Sequence, residues 1–115
     1  MSNLTAKIVF RDGKNHAPPG GRLWGEVIVT CSKPVKLSKV FMDFRVNSYG
    51  RMWGSTIRLN GQELNPGTHA IPFGFNLPIL NYPSDHALEL RAKVCETGLF
   101  GGSVTTQAPI EMYHP

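Results

Sequence analysis

The sequence is poor in the residues from which many small proteins build catalytic or metal centres. Its 115 residues include only eight acidic residues and two cysteines. Two cysteines are too few for a disulfide framework. The four histidines have no metal-ligand spacing, so we expect no metal and no cofactor. No serine, cysteine or carboxylate lies in a recognisable nucleophile or acid–base context, so we also expect no enzymatic activity.

Long apolar runs are also missing. No stretch approaches the roughly 18 apolar residues of a membrane span. The amino-terminal sequence MSNLTAKIVF lacks the basic and apolar segments of a secretory signal, and we expect a cytoplasmic location. The net charge of +4 indicates a solvated surface or a face for anionic groups. Because the basic residues are scattered and match no recognition motif, we expect no nucleic-acid partner.

Alternation of apolar and polar residues is the dominant pattern, and no segment has a convincing helical period. Seven segments have the period of a half-buried strand, namely Ala6–Phe10, Leu23–Cys31, Lys36–Asn47, Ser55–Leu59, Ile71–Leu77, His86–Glu96 and Val104–Met112. Turn residues separate them. The sequence therefore predicts an all-β fold over 1–115, a single antiparallel two-sheet immunoglobulin-like β-sandwich of about seven strands.

The phase of individual strands makes finer predictions. The third segment has Val40, Met42, Phe44 and Val46 facing inwards and Phe41, Asp43 and Arg45 facing outwards. The dipeptide Asn60-Gly61 is a strong turn signal and is predicted to end the fourth strand. Pro72 lies on the outward phase and has no amide hydrogen, so its strand is predicted to lie at a sheet edge or to contain a bulge.

The two cysteines lie 64 positions apart, a separation compatible with a bridge between the sheets of an immunoglobulin-type sandwich. Their phases argue against that bridge. Cys31 follows Val27 and Val29 on the inward face, whereas Cys95 follows Lys93 on the outward face. We therefore predict two free thiols in a reducing compartment.

Three longer segments, taken together, resemble the sequence pattern of a known protein family. The segments PGGRLWGEVIVTCSKPVKLSKVFMDFRVNSYG, LNPGTHAIPFGFNLPILNYPSD and ALELRAKVCETGLFGGSVTTQAPIEM resemble the amino-terminal-type domain of the arrestins, in particular the alpha-arrestins. The resemblance extends from Lys7 to Met112, and PFGFNLP is its most specific part. It implies an arrestin N-domain-like sandwich. It also implies a non-enzymatic adaptor that binds cytoplasmic tails of membrane proteins, or trafficking and signalling components.

The sequence departs from that family in three ways. It holds one domain where arrestins pair two, and it lacks the Pro-Pro-x-Tyr motifs of alpha-arrestins. At the positions of the phosphate-holding lysine pair of receptor arrestins it has Arg11 and Asp12, which argues against phosphate recognition. His69 lies in the Gly-x-His turn that the family shares, where we expect it to hydrogen-bond a loop.

Two mechanisms of partner binding follow from the pattern. An extended peptide is expected to pair with the edge at Ala6–Arg11 or, less favourably, at Ile71–Leu77. The candidate residues for an acidic or phosphorylated tail at the first edge are Lys7, Arg11 and Lys14. Alternatively, outward or loop aromatics bind a partner or a second copy, and the candidates are Trp24, Phe41, Tyr49 and Trp53.

Other interpretations stay open at this point. The same aromatics are also suited to covering loop crossings and sheet ends. Leu99 and Phe100 form an apolar tip between glycines, which either folds back on the sheet or inserts into a partner or peripherally into a membrane surface. A small β-sandwich carbohydrate-binding protein is the alternative function, because many small lectins are all-β with exposed aromatic residues.

Overall fold

The strands of the protein follow the predicted segments closely. The computed structural model describes residues 4–18, 20–46, 51–77, 88–98 and 101–112, without the side chains of residues 46, 51–53 and 112. The elements are β1 (Leu4–Phe10), a 3-10 turn (Arg11–Gly13), β2 (His16–Ala17), β3 (Arg22–Cys31), β4 (Val35–Val46), β5 (Arg51–Leu64), β6 (Gly67–Asn76), β7 (Leu88–Glu96) and β8 (Ser103–Met112). Within these ranges no helix is long and apolar enough to cross a membrane.

Two sheets form the structure. One has the strand order β1-β3-β6, and the other has the order β2-β8-β7-β4-β5. All pairs are antiparallel except β2 with β8. The predicted two-sheet β-sandwich is confirmed. The additional strand, β2, has two residues, which is too short to produce a periodic signal in the sequence.

The core lies between the two inner faces, and its composition confirms the predicted phases. The three-stranded sheet contributes Leu23, Val27, Val29, Ile71, Phe73 and Phe75, and the five-stranded sheet contributes Val40, Met42, Phe44, Leu90, Ala92 and Val94, all of them buried. Each strand in the interior of a sheet therefore turns its apolar side chains to the opposite sheet, as a sandwich requires.

Gly25 makes room for the aromatic part of this core. A Cβ on Gly25 would lie 2.6 Å from the Phe73 ring and 2.3 Å from the Val9 carbonyl oxygen. The Phe73 ring also packs edge-on against Phe10 and stacks on Phe75, at centroid distances of 6.2 and 5.6 Å. The glycine inside β3 thus permits the close approach of a neighbouring strand's ring.

The proline-containing strand lies where the sequence predicted. β6 is an edge of the three-stranded sheet, and Pro72 is exposed opposite Glu26 of β3. The segment PFGFNLP therefore begins on a rim of the sandwich. β1 is the opposite edge of the same sheet, so both predicted edges are confirmed.

The predicted turn at Asn60-Gly61 is wrong. β5 continues through this dipeptide to Leu64, with φ of 54° at Asn60 and 78° at Gly61. Pairing with β4 changes from Leu37–Gln62 to Lys39–Arg58, so β5 holds extra residues there. A left-handed dipeptide inside a long hairpin is absorbed as a β-bulge, which the sequence signal does not distinguish from a chain reversal.

Asp43 faces outwards from β4, as predicted, yet it is buried there. Its exposed fraction is 1%. Arg91, its register partner on β7, donates from Nε to Oδ1 at 3.1 Å and from Nη2 to Oδ2 at 2.9 Å. Two charged hydrogen bonds from a neighbouring strand compensate the burial, and such a partner is invisible to alternation along one strand. Arg45 and Phe41 on the same face are half-buried.

Both cysteines are free thiols, as predicted. Cys31 is buried at the end of β3, where its Sγ lies 3.2 Å from the Asn65 carbonyl oxygen. Cys95 is half-buried on β7 of the other sheet. The phase difference between the two strands is therefore sufficient to explain the absence of a bridge.

Removal of the Phe44 ring tests the core. Phe44→Ala deletes a fully buried side chain of β4, which lies between β7 and β5, so we expect a loss of about 4 kcal/mol in the free energy of unfolding. Val9→Ala is the control, because Val9 is 42% exposed and the expected loss is below about 1 kcal/mol. Denaturant titration measures both. Equal losses would contradict the described burial.

The Asp43–Arg91 pair is testable by a double-mutant cycle. We expect Asp43→Ala to lower the free energy of unfolding by about 2 kcal/mol, because it removes two charged hydrogen bonds to a guanidinium that is itself only 28% exposed. The cycle with Arg91→Ala should give a coupling of at least about 1 kcal/mol. Glu26→Ala, which removes an exposed carboxylate, is the control. Additive effects of the two substitutions would contradict the pair.

Candidate functional site

The outer face of the three-stranded sheet carries an unusual apolar exposure. Trp24 of β3 and Val9 of β1 are each 42% exposed, and they are the exposed large hydrophobic residues of the described part of the chain. Trp24 lies on the outward phase, as predicted. An indole at this position of a sheet surface has either to be covered by a partner or to be held by its neighbours.

Trp24 is held from three directions. Its ring lies against Gly74, its register partner on β6, where an added Cβ would be 3.1 Å from Cε3. The guanidinium carbon of Arg22 is 4.5 Å from the ring centroid, and that of Arg11 is 4.8 Å away. Both distances are within the range of cation–π contacts. The indole is thus fixed in orientation while part of it remains accessible.

The two arginines differ in what their donors do. Arg22 donates from Nη1 to Asn76 Oδ1 at 3.1 Å and from Nη2 to the Gly74 carbonyl oxygen at 3.3 Å. Arg11 contacts the Trp24 ring, and within the described residues its N–H groups have no hydrogen-bond acceptor. Arg22 is therefore committed to the sheet, whereas the fork of Arg11 is oriented by the ring and available to a ligand.

The turn after β1 places Arg11 beside the ring. β1 ends at Phe10 opposite Gly25, and the 3-10 turn Arg11–Gly13 follows. The amide of Lys14 donates to the Arg11 carbonyl oxygen at 3.0 Å. Asp12 has a φ of 54°, a left-handed conformation that aspartate adopts more readily than most residues. The chain turns here, and Arg11 stays next to β3.

Two connected clefts surround Trp24. The larger, of about 710 Å³, is lined among others by Val9, Trp24, Pro72 and Phe73, together with Arg11 and Arg22 opposing Asp12 and Glu26. The smaller, of about 250 Å³, is lined by Arg11, Asp12, Lys14, His16, Arg22 and Trp24. Opposite charges balance in the larger cleft, whereas three cations face one carboxylate in the smaller. A ligand would therefore meet an apolar floor at one end and positive charge at the other.

The structure brings only some of the predicted site residues together. Arg11, Lys14 and Trp24 meet at the two clefts, so the predicted charged edge and the predicted aromatic site share one location. Lys7 is exposed on the same outer face, opposite Ile28. Phe41 lies on the other sheet, half-buried, where its ring would be 2.9 Å from a Cβ on Gly54.

The remaining predicted residues are not part of this site. Tyr49, Leu99 and Phe100 lie outside the described residues, as does the side chain of Trp53. The predicted aromatic surface is therefore represented by Trp24 and Phe41, and these lie on opposite faces of the sandwich.

Sequence reasoning missed Arg22, Glu26 and Val9. Arg22 and Glu26 share the phase of Trp24 on β3, so the period of two was a usable signal for them. Val9 faces Glu26 from β1 and Gly74 faces Trp24 from β6. Those cross-strand neighbours depend on sheet order and register, which no local pattern specifies.

His69 forms the loop hydrogen bond that the sequence predicted. Its Nε2 is 2.7 Å from the carbonyl oxygen of Asn65, which lies between β5 and β6. No group of three or more potential metal ligands occurs among the described residues. His69 thus ties the β5–β6 connection to the strand that follows it.

No family model matches the chain, and no curated protein does. Among solved structures the chain is similar to Spo0M, the sporulation control protein from Bacillus subtilis, with 16% identity and a TM-score of 0.65. That alignment covers 99% of this chain and 50% of Spo0M, so the chain spans about half the length of its structural neighbour. The solution structure of R. palustris CsgH aligns with a TM-score of 0.37 and 11% identity over 92% and 91% of the two chains.

At this level of identity the likeness to Spo0M shows the fold alone. It agrees with the two-sheet sandwich described above. The TM-score with CsgH is too low to carry an argument. Kinship with the arrestins stays a prediction from the sequence segments.

The position of Trp24 is testable through the glycine beneath it. Gly74→Ala introduces a methyl group 3.1 Å from both Trp24 Cε3 and Arg22 Nη2, so we expect the indole to move outwards. In a Trp53→Phe background, acrylamide quenching of the Trp24 fluorescence should increase. Ala70→Val, which enlarges an exposed side chain farther along β6, is the control. Equal quenching in the two variants would contradict the contact.

Proposed function

We propose that this sandwich is a non-enzymatic protein-interaction module that binds an extended, acidic segment of a partner protein across the Trp24 clefts. The observation that carries the proposal is an exposed indole in contact with two arginines, one of which has no hydrogen-bond acceptor among the described residues. Exposed tryptophan and arginine are the residue types that dominate binding energy in protein interfaces. An apolar floor with few convergent polar groups is also the usual composition of a binding site.

The charge distribution supports an anionic ligand with an apolar part. The apolar part would lie over Trp24, Val9 and Pro72 in the larger cleft. A carboxylate would receive two parallel N–H bonds from the Arg11 fork, with Lys14 nearby in the smaller cleft. Asp12 lines both clefts. Its charge opposes a phosphate dianion more strongly than a single carboxylate, so acidic residues suit the site better than phosphorylated ones.

The edge of β1 offers main-chain groups next to the clefts. β1 has no second neighbour in its sheet within the described residues, and its last residues lead directly into the Arg11 turn. Strand addition at this edge would carry alternate side chains of a peptide towards Lys7 and Arg11 on the outer face. β1 also runs close to β8 of the other sheet, so the clefts rather than the full edge carry the proposal.

The class of partner comes from the resemblance to arrestins. Cytoplasmic tails of membrane proteins, and components of trafficking or signalling complexes, are the partners that it suggests. An acidic tail with an interspersed aromatic residue meets the chemistry of both clefts. A pulldown with intact protein identifies the partner, and the tails of the captured proteins can then be compared by their charge.

Substitutions at the clefts test the proposal directly. The probe is a labelled peptide that alternates glutamate with aromatic residues, and its lysine-containing counterpart is the negative control. We expect Arg11→Glu and Trp24→Ala each to weaken binding at least about tenfold, as loss of an interface anchor does. Fluorescence anisotropy measures the affinity, which should also fall as salt rises because a charge pair contributes.

Arg58→Glu is the matched control for Arg11→Glu. It makes the same charge change at an exposed position of β5, on the other sheet and away from both clefts. Binding by the Arg58→Glu variant should equal that of the parent protein. Equal losses from the two charge reversals would indicate an effect of net charge alone and contradict a site at Trp24. A phosphorylated version of the probe that binds more tightly would contradict the preference for carboxylates.

Carbohydrate binding is the second candidate, and one observation favours it. Trp24 shares its cleft with Asp12 and Glu26, and an accessible indole beside carboxylates suits stacking on a sugar ring with hydrogen bonds to its hydroxyl groups. A glycan array separates the two functions. Selective binding of one sugar class that is lost in Trp24→Ala would replace the peptide proposal with the lectin one.

A further inference from the structure

We propose that the free edge of β5 pairs with the β5 edge of a second copy, joining the two five-stranded sheets into one continuous sheet across a two-fold axis. β5 is the longest described strand, with 14 residues, and it is the last strand of its sheet in the described part of the chain. This surface lies on the other sheet from the Trp24 clefts. The proposal therefore does not depend on the proposed function.

Within the described residues, the middle of β5 has less protection against association than the other sheet edges. β6 carries Pro72, which has no amide hydrogen, and β1 carries Lys7 and runs close to β8. β8 is paired at its end by β2. Between Gly54 and Leu59, β5 has no proline and no lysine. Prolines, charged residues, bulges and coverage are the means by which sheet edges avoid association. This stretch contains Arg58 and lies next to the bulge at Asn60-Gly61, but it has no proline, no lysine and no covering strand among the described residues.

The inner side of β5 is incompletely covered. Ile57 and Leu59 point towards the core but are only half-buried, because a three-stranded sheet lies over a five-stranded one. Two cavities of about 260 and 230 Å³ run along the flank between β5 and β6, and Leu59 lines one while Ile57 lines the other. A strand added at the β5 edge would cover both side chains.

Geometry restricts the register of such a pair. Residues opposite each other in antiparallel strands lie on the same face, so a two-fold axis has to pass through a residue of β5 rather than between two. The bulge at Asn60-Gly61 ends the regular stretch. An axis through Arg58 would place two guanidinium groups opposite each other, which is unfavourable.

An axis through Ile57 makes β5 complementary to itself. Ile57 then faces its own copy, Ser55 faces Leu59, and Thr56 faces Arg58, with the last two pairs occurring twice. On the inner face the two Ile57 side chains gain an apolar contact and each Ser55 lies beside Leu59, while on the outer face a hydroxyl group opposes a guanidinium group. A second copy thus pairs with both faces of the strand and with main-chain groups that have no partner strand among the described residues. This self-complementarity is the reason for proposing a second copy as the partner.

Charge substitutions at Thr56 test the register. Because Thr56 faces Arg58 of the other copy twice, we expect Thr56→Lys to raise the dimer dissociation constant by about tenfold and Thr56→Glu to lower it by a similar factor. Analytical ultracentrifugation of the full chain over a range of concentrations measures the constants. Thr5→Lys and Thr5→Glu, at an exposed position of β1 in the other sheet, are the matched controls and should leave the constant unchanged.

A disulfide cross-link between two copies is a second test of the dimer, and it does not depend on charge. Ile57→Cys in a Cys95→Ser background places two thiols next to the axis, where opposed Cβ atoms are about 5 Å apart. Mild oxidation should produce a covalent dimer, whereas Val9→Cys in the same background should not. A monomeric mass for the parent protein and Thr56→Glu at every concentration would overturn the proposal. Equal effects of the Thr56 and Thr5 substitutions on the dissociation constant would do so as well.

Discussion

The packing of two apolar faces of unequal width is the constraint from which the rest of this structure follows. Three strands lie over five, so the centre of the core is sealed while the flank along β5 is not. Val40, Leu90 and Val94 at the centre have no exposed surface. Burial of such side chains stabilises a sandwich by roughly 2 kcal/mol each. The strands that lack an opposing neighbour contribute less to stability, and they retain surface that a partner can cover.

Two glycines in the three-stranded sheet make room for aromatic rings, one on the inner face of the sheet and one on the outer face. Gly25 faces inwards and gives the Phe73 ring its place in the core. Gly74 faces outwards and gives the Trp24 ring its place on the surface. In each case an aromatic side chain from one strand occupies the space above a glycine on its neighbour. The site and the core are therefore coupled through adjacent strands, since Phe73 and Gly74 are consecutive residues of β6.

Most of the fold was predictable from the period-two pattern, because each strand in a sandwich has one buried face. The edge position of β6 was predictable as well, because Pro72 has no amide hydrogen. The features that the sequence did not predict depend on contacts between neighbouring strands. The burial of Asp43 depends on Arg91 of β7, and the bulge at Asn60-Gly61 depends on the register with β4. The site was predicted only in part for the same reason: Arg11 and Trp24 were candidates, but their contact requires β1 and β3 to be neighbours.

The arginines around Trp24 illustrate how neighbouring strands determine the environment of a side chain. The sequence singled out Arg11 as a candidate binding residue but did not indicate how its environment differs from that of Arg22. Their environments in the sheet differ, because Arg22 donates to Asn76 and to the Gly74 carbonyl oxygen, while Arg11 contacts the indole and has no hydrogen-bond acceptor among the described residues. A cation whose donors are satisfied positions the ring, and a cation whose donors remain unused is suited to binding an anion. The different roles of these two identical side chains thus depend on the order β1-β3-β6, since the acceptors of Arg22 belong to β6, the neighbour of β3.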